Sequence, residues 1–158
     1  MIVELKNLKK ILKKFKKEGK KIVFTNGCFD IIHFGHIEIL RKAKKKGDIL
    51  IVGLNSDRSI KKIKGNKRPI INERDRAKIL DSIKYVDYVI LFDEKTPYRL
   101  IREIKPDVLV KGADYKLEEV VGSDIVLKNK GEVYLVKLLK GRSTSKIIEK
   151  IIKKYGKN

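Results

Sequence analysis

The stretch Thr25-Asn26-Gly27-Cys28-Phe29-Asp30-Ile31-Ile32-His33-Phe34-Gly35-His36 holds both histidines of the chain, three positions apart, and its single cysteine. A glycine-containing turn that leads into a helix presents free backbone N–H groups at the positive end of the helix dipole, and so makes an anion site. Two imidazoles spaced i, i+3 add donors there, and Gly35 between them lets a phosphate or a base approach the backbone where a Cβ would intrude. As a metal site the motif is weak, because no third ligand is evident and lysine-rich surroundings disfavour a dication. Standing alone, it also fits two satisfied histidines at a helix start. Near the other end of the chain, Gly141-Arg142-Ser143-Thr144-Ser145-Lys146 offers a second glycine-then-hydroxyl helix start with two cations, again suited to phosphate oxygens. That segment standing alone is a good N-cap. If each follows a strand in a parallel sheet, both fall at one edge of it and together form a clamp for a polyphosphate.

Elements with the right periodicity surround these two starts. Leu5, Leu8, Leu12 and Phe15 recur at helical spacing until Gly19, which predicts an N-terminal amphipathic helix over residues 1–19, packed on a domain of residues 20–158. Apolar runs rich in β-branched and aromatic residues at Ile22 to Phe24, Ile49 to Leu54, Tyr88 to Phe92, Val108 to Val110 and Val133 to Val136 predict five strands buried on both faces. Between them lie helical patterns: Ile37, Leu40, Ala43; Ala77, Leu80, Ile83; Leu100, Ile101, Ile104 after a Thr96-Pro97 start; and Ile147, Ile148, Ile151, Ile152, Tyr155 after Ser143-Thr144-Ser145. Strands alternating with helices imply right-handed β-α-β units. The expected fold is α/β, a single Rossmann-like doubly wound sheet of five parallel strands flanked by helices. Ligands of such sheets bind beyond the carboxyl ends of the strands, near the point where strand order reverses.

The 158 residues suit one domain, and 40 Lys+Arg against 20 Asp+Glu give a formal net charge of +20. Such a charge attracts anions, whether nucleic acid, acidic lipid or phosphorylated small molecules. The lysines are spread along nearly the whole chain, mostly on the polar sides of helical patterns, as in a solvated lysine-rich surface. No RNA-stacking motif or zinc finger is evident, so nucleic acid is not the expected partner. One cysteine allows no internal disulfide, and no apolar run reaches the ~18 residues of a membrane span. With no charged-then-apolar leader either, the expected setting is cytoplasmic and away from the membrane.

"NGCFDIIHFGH" together with "GRSTSKII" resembles the His-x-Gly-His (HIGH) nucleotidyltransferase superfamily. Within it, "VGLNSDRSIKKIKGNKRPI", "AKILDSIKYVDYVILFDEKTPYRLIREIKPDVLVKGADY" and "VVGSDIVLKNKGEV" are similar to the adenylyltransferase half of bacterial ADP-heptose synthases, over residues 20–152. Leu138-Leu139-Lys140-Gly141 stands where the glycerol-3-phosphate cytidylyltransferases carry Arg-Thr-Glu-Gly. Cys28 stands where the archaeal FAD synthetases of the superfamily have threonine. Ala113 replaces the second glycine of the heptose family's Lys-Gly-Gly-Asp-Tyr.

The resemblance implies a HIGH-superfamily nucleotidyltransferase that moves AMP from ATP to a sugar phosphate, D-glycero-β-D-manno-heptose 1-phosphate, releasing pyrophosphate. The same fold also serves glycerol phosphate with CTP, or FMN with ATP. A separate heptose kinase and a homodimer are implied, and Mg²⁺ arrives on the ATP with no dedicated metal ligand in the protein. Such a transfer needs positioning and charge stabilisation more than covalent chemistry. His33 and His36 are the expected triphosphate donors, with Lys64, in a loop after the second strand, as a mobile cation. Thr25, Asn26, Gly27, Cys28, Phe29, Asp30 and Gly35 line the nucleotide pocket, and Ser143, Thr144 and Ser145 hold the β- and γ-phosphates. Lys111, Gly112, Asp114 and Tyr115 stand at the switch point beside the nucleoside. Asn55 and Asp57 face the sugar phosphate, with Arg76 as a second candidate cation. Asp30 reads equally as a structural turn carboxylate, and Cys28 as a small packing residue.

Overall fold

The computed structural model describes residues 1–112, 119–137, 139 and 141–156. Its elements run α1 (Leu5–Lys17), β1 (Ile22–Gly27), α2 (Phe34–Lys44), β2 (Ile49–Asn55), α3 (Asp57–Lys64), α4 (Glu73–Asp81), β3 (Tyr88–Phe92), α5 (Tyr98–Ile104), β4 (Val108–Gly112), α6 (Ser123–Lys128), β5 (Glu132–Val136) and α7 (Thr144–Tyr155). All four strand pairings are parallel, in the order β3-β2-β1-β4-β5. Strand order therefore reverses between β1 and β4, whose register places Thr25 beside Val110. The five expected strands are present, and α3 and α6 are additional helices.

Strand side chains alternate between two apolar layers, which is why the runs lack polar residues. Ile22, Phe24 and Ile51 point to a layer completed by Leu8 and Leu12 of α1 and by Leu100, Ile101 and Ile104 of α5. Val23, Leu50, Val52 and Leu54 point to the opposite layer, with Leu40 and Ala43 of α2 and Ala77 and Leu80 of α4. The outer strand β5 is only half-buried up to Leu135, because it has a neighbour on one side. Among the described residues no helix is long and apolar enough to cross a membrane.

Candidate active site

Strand β1 delivers the chain to the sheet's carboxyl edge at Gly27, and the loop 28–33 turns it into α2. His33 is the N-cap, with extended backbone (φ −139°, ψ 170°). Its N–H donates to Nδ1 of His36 at 3.4 Å. The rings stack, with centroids 3.8 Å apart and planes at 23°, and buried Phe29 packs against His36 with centroids 5.2 Å apart. Because His36 Nδ1 accepts, the neutral ring carries its proton on Nε2. Burial, and then the charge of His33, lower the His36 pKa to about 4, against the opposing pull of Asp30. Burial and then the Arg142 cation lower that of His33 too. At neutral pH the pair is therefore two uncharged N–H donors, and His33 Nδ1 is buried with no partner among the described residues.

Gly35 serves a different contact from the one its sequence position suggests. A Cβ there would lie 3.0 Å from His33 Cε1 and Nδ1 and 3.3 Å from Arg142 Cβ. The missing methyl makes room for the imidazole and for the loop leading into α7, and so couples the two helix starts.

Asp30 ties them further. Its carboxylate, 1% exposed, accepts from Arg68 Nε at 2.7 Å, Ile70 N at 2.9 Å and Ile71 N at 3.0 Å. Its backbone oxygen accepts from Thr144 Oγ1 at 2.6 Å. Phe29 and Ile31 on either side adopt left-handed φ of 47° and 52°, a costly conformation for side-chain-bearing residues that persists where surroundings enforce it. One buried carboxylate thus joins the β1 loop to the α3–α4 connection, while the adjoining carbonyl joins it to α7. At α7 Ser143 is the N-cap, its Oγ accepting from Lys146 N at 3.3 Å.

The two helix starts enclose a cavity of about 290 Å³ lined by Cys28, Asp30, His33, Gly35, His36, Lys64, Arg68, Arg142, Ser143, Thr144 and Ser145. The two helix starts singled out in the sequence are thereby brought together at one sheet edge. A second cavity, of about 440 Å³, opens beyond the ends of β1, β2 and β4. It is lined by Asn26, Gly27, Cys28, Asn55, Lys64, Lys95, Thr96, Lys111, Gly112 and Glu119, with an apolar wall of Ile63, Pro97, Val120 and Val121. Cys28 and Lys64 belong to both cavities. Burial pushes the Cys28 thiol up, against the pull of Lys64, Arg76 and Arg68. Lys111 Nζ donates to Asn26 Oδ1, and burial lowers its pKa to about 8.

Several expected site residues take other places. Arg76 is 0% exposed; its Nε donates to Ile71 O (2.9 Å), Nη1 to Cys28 O (2.6 Å) and Asn55 O (2.9 Å), and Nη2 to Asp57 Oδ1 (2.7 Å). With no free surface it is a strut beneath the loops rather than a cation for substrate, and Asp57 is its counter-ion. Thr25 is 2% exposed and spends its hydroxyl on Val110 O at 3.0 Å, locking β1 to β4. Phe29 is packing under His36. Lys64 ends a helix instead of lying in a loop. Asn55 lines the second cavity, with its amide donating to Ser59 Oγ at 3.0 Å. Asp114 and Tyr115 lie outside the described residues. Arg68 was not foreseen, because its place depends on Asp30, 38 positions earlier, and no local pattern links the two.

Residues 24–150 match the family model described as cytidylyltransferase-like. Among curated proteins the chain is similar to the Bifunctional protein HldE of Wolinella succinogenes, 56% identical over 150 residues that make up 95% of this chain and 31% of that protein. It is likewise similar to HldE of Campylobacter jejuni subsp. doylei, 57% identical over 148 residues, 94% of this chain and 31% of that one. The chain thus spans about a third of the length of these curated relatives. Among solved structures, a lipopolysaccharide core biosynthesis protein from Thermoplasma volcanium is 33% identical at a TM-score of 0.62, covering 78% of this chain and all of that one. Pantoate-beta-alanine ligase from Francisella tularensis, complexed with beta-gamma ATP and beta-alanine, shares the fold at a TM-score of 0.65 and 18% identity, over 92% of this chain and 69% of that one. The likeness to the Thermoplasma protein over the whole of that protein and a family match over most of this sequence agree with the two coupled helix starts: this chain belongs to the cytidylyltransferase-like family.

Proposed function

We propose that the chain transfers AMP from ATP to a sugar phosphate, D-glycero-β-D-manno-heptose 1-phosphate, giving ADP-heptose and pyrophosphate. The observation that carries this reading is the convergence of two helix N-termini, two neutral imidazoles and three hydroxyl residues on one cavity, held together by Asp30 and Gly35. Such a cradle suits the oxygens of a triphosphate. The sugar phosphate follows from the heptose-family blocks of the sequence and the similarity to HldE proteins and to a lipopolysaccharide core biosynthesis protein.

In this reaction an acceptor phosphate oxygen attacks the α-phosphorus while the bond to the bridging oxygen of the β-phosphate breaks, and charge accumulates on the departing pyrophosphate. His33 and His36 donate to the phosphate oxygens as that charge develops. Ser143 and Ser145 with the backbone N–H groups of the first turn of α7 receive the pyrophosphate, the Thr144 hydroxyl being spent on Asp30 O, and Lys64, Arg68 and Arg142 neutralise it. Preorganised donors of this kind act on the transition state without reorganising. The donor set of imidazoles, hydroxyls and cations fits phosphate oxygens rather than a divalent metal, so Mg²⁺ is taken to travel with the nucleotide, where it neutralises phosphate charge. The step that makes the sugar phosphate is assigned to protein outside these 158 residues.

Pyrophosphate release measured over a grid of ATP and CTP against heptose 1-phosphate, glycerol 3-phosphate and FMN tests the reading. ATP with heptose 1-phosphate is expected to be the productive pair. Turnover with another pair, and none with this one above ATP alone, would reassign the acceptor.

A further inference from the structure

The two edges of the sheet are finished differently. Along β3, residues 1–3 add a short parallel pairing, in which Val3 N donates to Val89 O and Val89 N to Met1 O, both at 2.9 Å. Along β5, among the described residues, nothing pairs with the outer side. An open edge is a row of unpaired donors and acceptors, which proteins blunt with proline, charge or a covering segment. The central run of β5, Val133-Tyr134-Leu135, carries neither proline nor charge.

Glu132 N donates to Asp107 O at 2.8 Å, toward β4. Backbone groups alternate in direction along a strand, so Glu132, Tyr134 and Val136 face β4 while Val133 and Leu135 turn theirs outward. These two lie evenly about Tyr134, which makes the edge self-complementary. Under a two-fold axis through Tyr134, Val133 of one copy stands opposite Leu135 of the other, and each such pair exchanges both N–H···O bonds of an antiparallel ladder. Tyr134 then meets its own counterpart as a close, non-hydrogen-bonded aromatic pair. In this register Glu132 stands opposite Val136, so no like charges face each other within the strands.

A five-residue edge is by itself small for a stable interface, and α7 supplies further uncovered surface. Its first turn is held to the body by Thr144 Oγ1 on Asp30 O. Ile147, Ile148, Ile151, Ile152 and Tyr155 fall on one side of the helix, within an arc of about 140°. The first two are half-buried, whereas Ile151, Ile152 and Tyr155 are 50%, 63% and 71% exposed, and no residue of the helix is buried. The helix therefore runs past the body with its apolar side uncovered. Because that side continues the one resting on the body, a second folded copy can reach it, while a flat lipid surface is blocked by the body itself.

We propose that a second copy of this chain docks on β5, antiparallel about Tyr134, joining two five-stranded sheets into one and covering the apolar side of α7 from each partner. The homodimer expected from resemblance thereby gains an interface, on grounds independent of that resemblance. Each copy carries a formal net charge of +20, so repulsion opposes association and salt, by screening it, favours the dimer.

Light scattering over a wide range of protein concentration is expected to show a mass rising from 18.3 kDa to twice that value, and at lower concentration in high salt than in low. Val133→Pro removes an outward N–H and leaves the ladder to β4 in place. Lost from both copies, these bonds predict a dimer weaker by roughly 100-fold or more, with far-UV circular dichroism unchanged. Ile152→Ser, in the exposed part of α7, weakens the dimer in the same assay. Tyr134→Cys brings the two introduced thiols within disulfide reach across the axis, so mild oxidation gives a covalent dimer on a non-reducing gel. Glu132→Cys, which stands opposite Val136 and away from its own counterpart, gives none, and neither does wild type with Cys28 alone.

Should Val133→Pro fail to fold, the Tyr134→Cys crosslink decides. A chain that stays monomeric at every concentration, whether free in solution or carried down by phosphatidylglycerol vesicles, overturns the proposal. A dimer that Val133→Pro leaves intact, or that Tyr134→Cys does not crosslink, lies on another surface and overturns it too. One indifferent to Ile152→Ser strikes α7 from the interface.

Discussion

Replacing Asp30 by asparagine keeps the volume of the side chain and removes its charge at the point where three segments meet. The carboxylate accepts three hydrogen bonds, from Arg68 Nε and from the N–H groups of Ile70 and Ile71. Asparagine offers one oxygen and one NH₂, so at least one of these donors faces another donor in a site that water does not reach. Breaking a buried, hydrogen-bonded ion pair by removing one partner costs about 3–5 kcal/mol. For a chain of this size each kcal/mol moves Tm by about 2–4 °C, so a fall of roughly 6–20 °C is expected.

The pH dependence supplies a second check on the same variant. Burial alone would raise the Asp30 pKa, but the Ile70 and Ile71 N–H groups and Arg68 outweigh it and hold the carboxyl below its ordinary value. A carboxyl with a lowered folded-state pKa stabilises the protein fully above the unfolded value near 3.9, and that contribution disappears as pH falls through the folded value. The gap in Tm between wild type and Asp30→Asn, followed by circular dichroism, should be complete at pH 7 and shrink below about pH 4. Melting curves that coincide at pH 7, or a gap that is unchanged in acid, would refute the hub.

His36→Ala is expected to lower kcat by roughly 10²-fold or more with folding intact, the usual cost of losing a transition-state donor; steady-state rates and far-UV circular dichroism check both halves. With its pKa near 4, His36 should remain neutral in a proton NMR titration from pH 8 to pH 5.5, and a midpoint near the ordinary histidine value would contradict its burial. Gly35→Ala drives a methyl into the His33 ring and Arg142 Cβ, with an overpacking cost of about 1–3 kcal/mol. Its Mg-ATP affinity by calorimetry should fall further than its Tm explains. Arg76→Met leaves the Asp57 carboxylate and three carbonyl oxygens without their donor, so a loss of about 3–5 kcal/mol in chemical unfolding is expected.

The strands were legible because buried parallel strands announce themselves as runs such as Ile49 to Leu54, and the two helix starts of the candidate site because glycine, histidine and hydroxyl residues cluster there. Helix α3 was not, since Asp57–Lys64 carries only Ile60 and Ile63 among charges, too few apolar positions to fix a period. Helix α6 has six residues, short of two turns. Arg76 and Lys64 show what sequence leaves open. Both are cations near a site motif, yet Arg76 is enclosed by Ile71, Cys28, Asn55 and Asp57, while Lys64 reaches both cavities. Burial is decided by contacts made 19 to 48 positions away, which no local pattern encodes. The same holds for Asp30, whose partners lie 38 to 41 positions along the chain and, through its carbonyl, 114. The division of the site into two cavities likewise exists only once β1, β2 and β4 are aligned.

A crystal structure with the non-reactive analogue α,β-methylene-ATP tests the central claim most directly. The account predicts the β- and γ-phosphates between the stacked rings of His33 and His36 and the Ser143–Ser145 start of α7, with the α-phosphate at the junction of Cys28 and Lys64. A triphosphate lying in the second cavity against Lys95 and Lys111, with the space between α2 and α7 left to solvent, would contradict it.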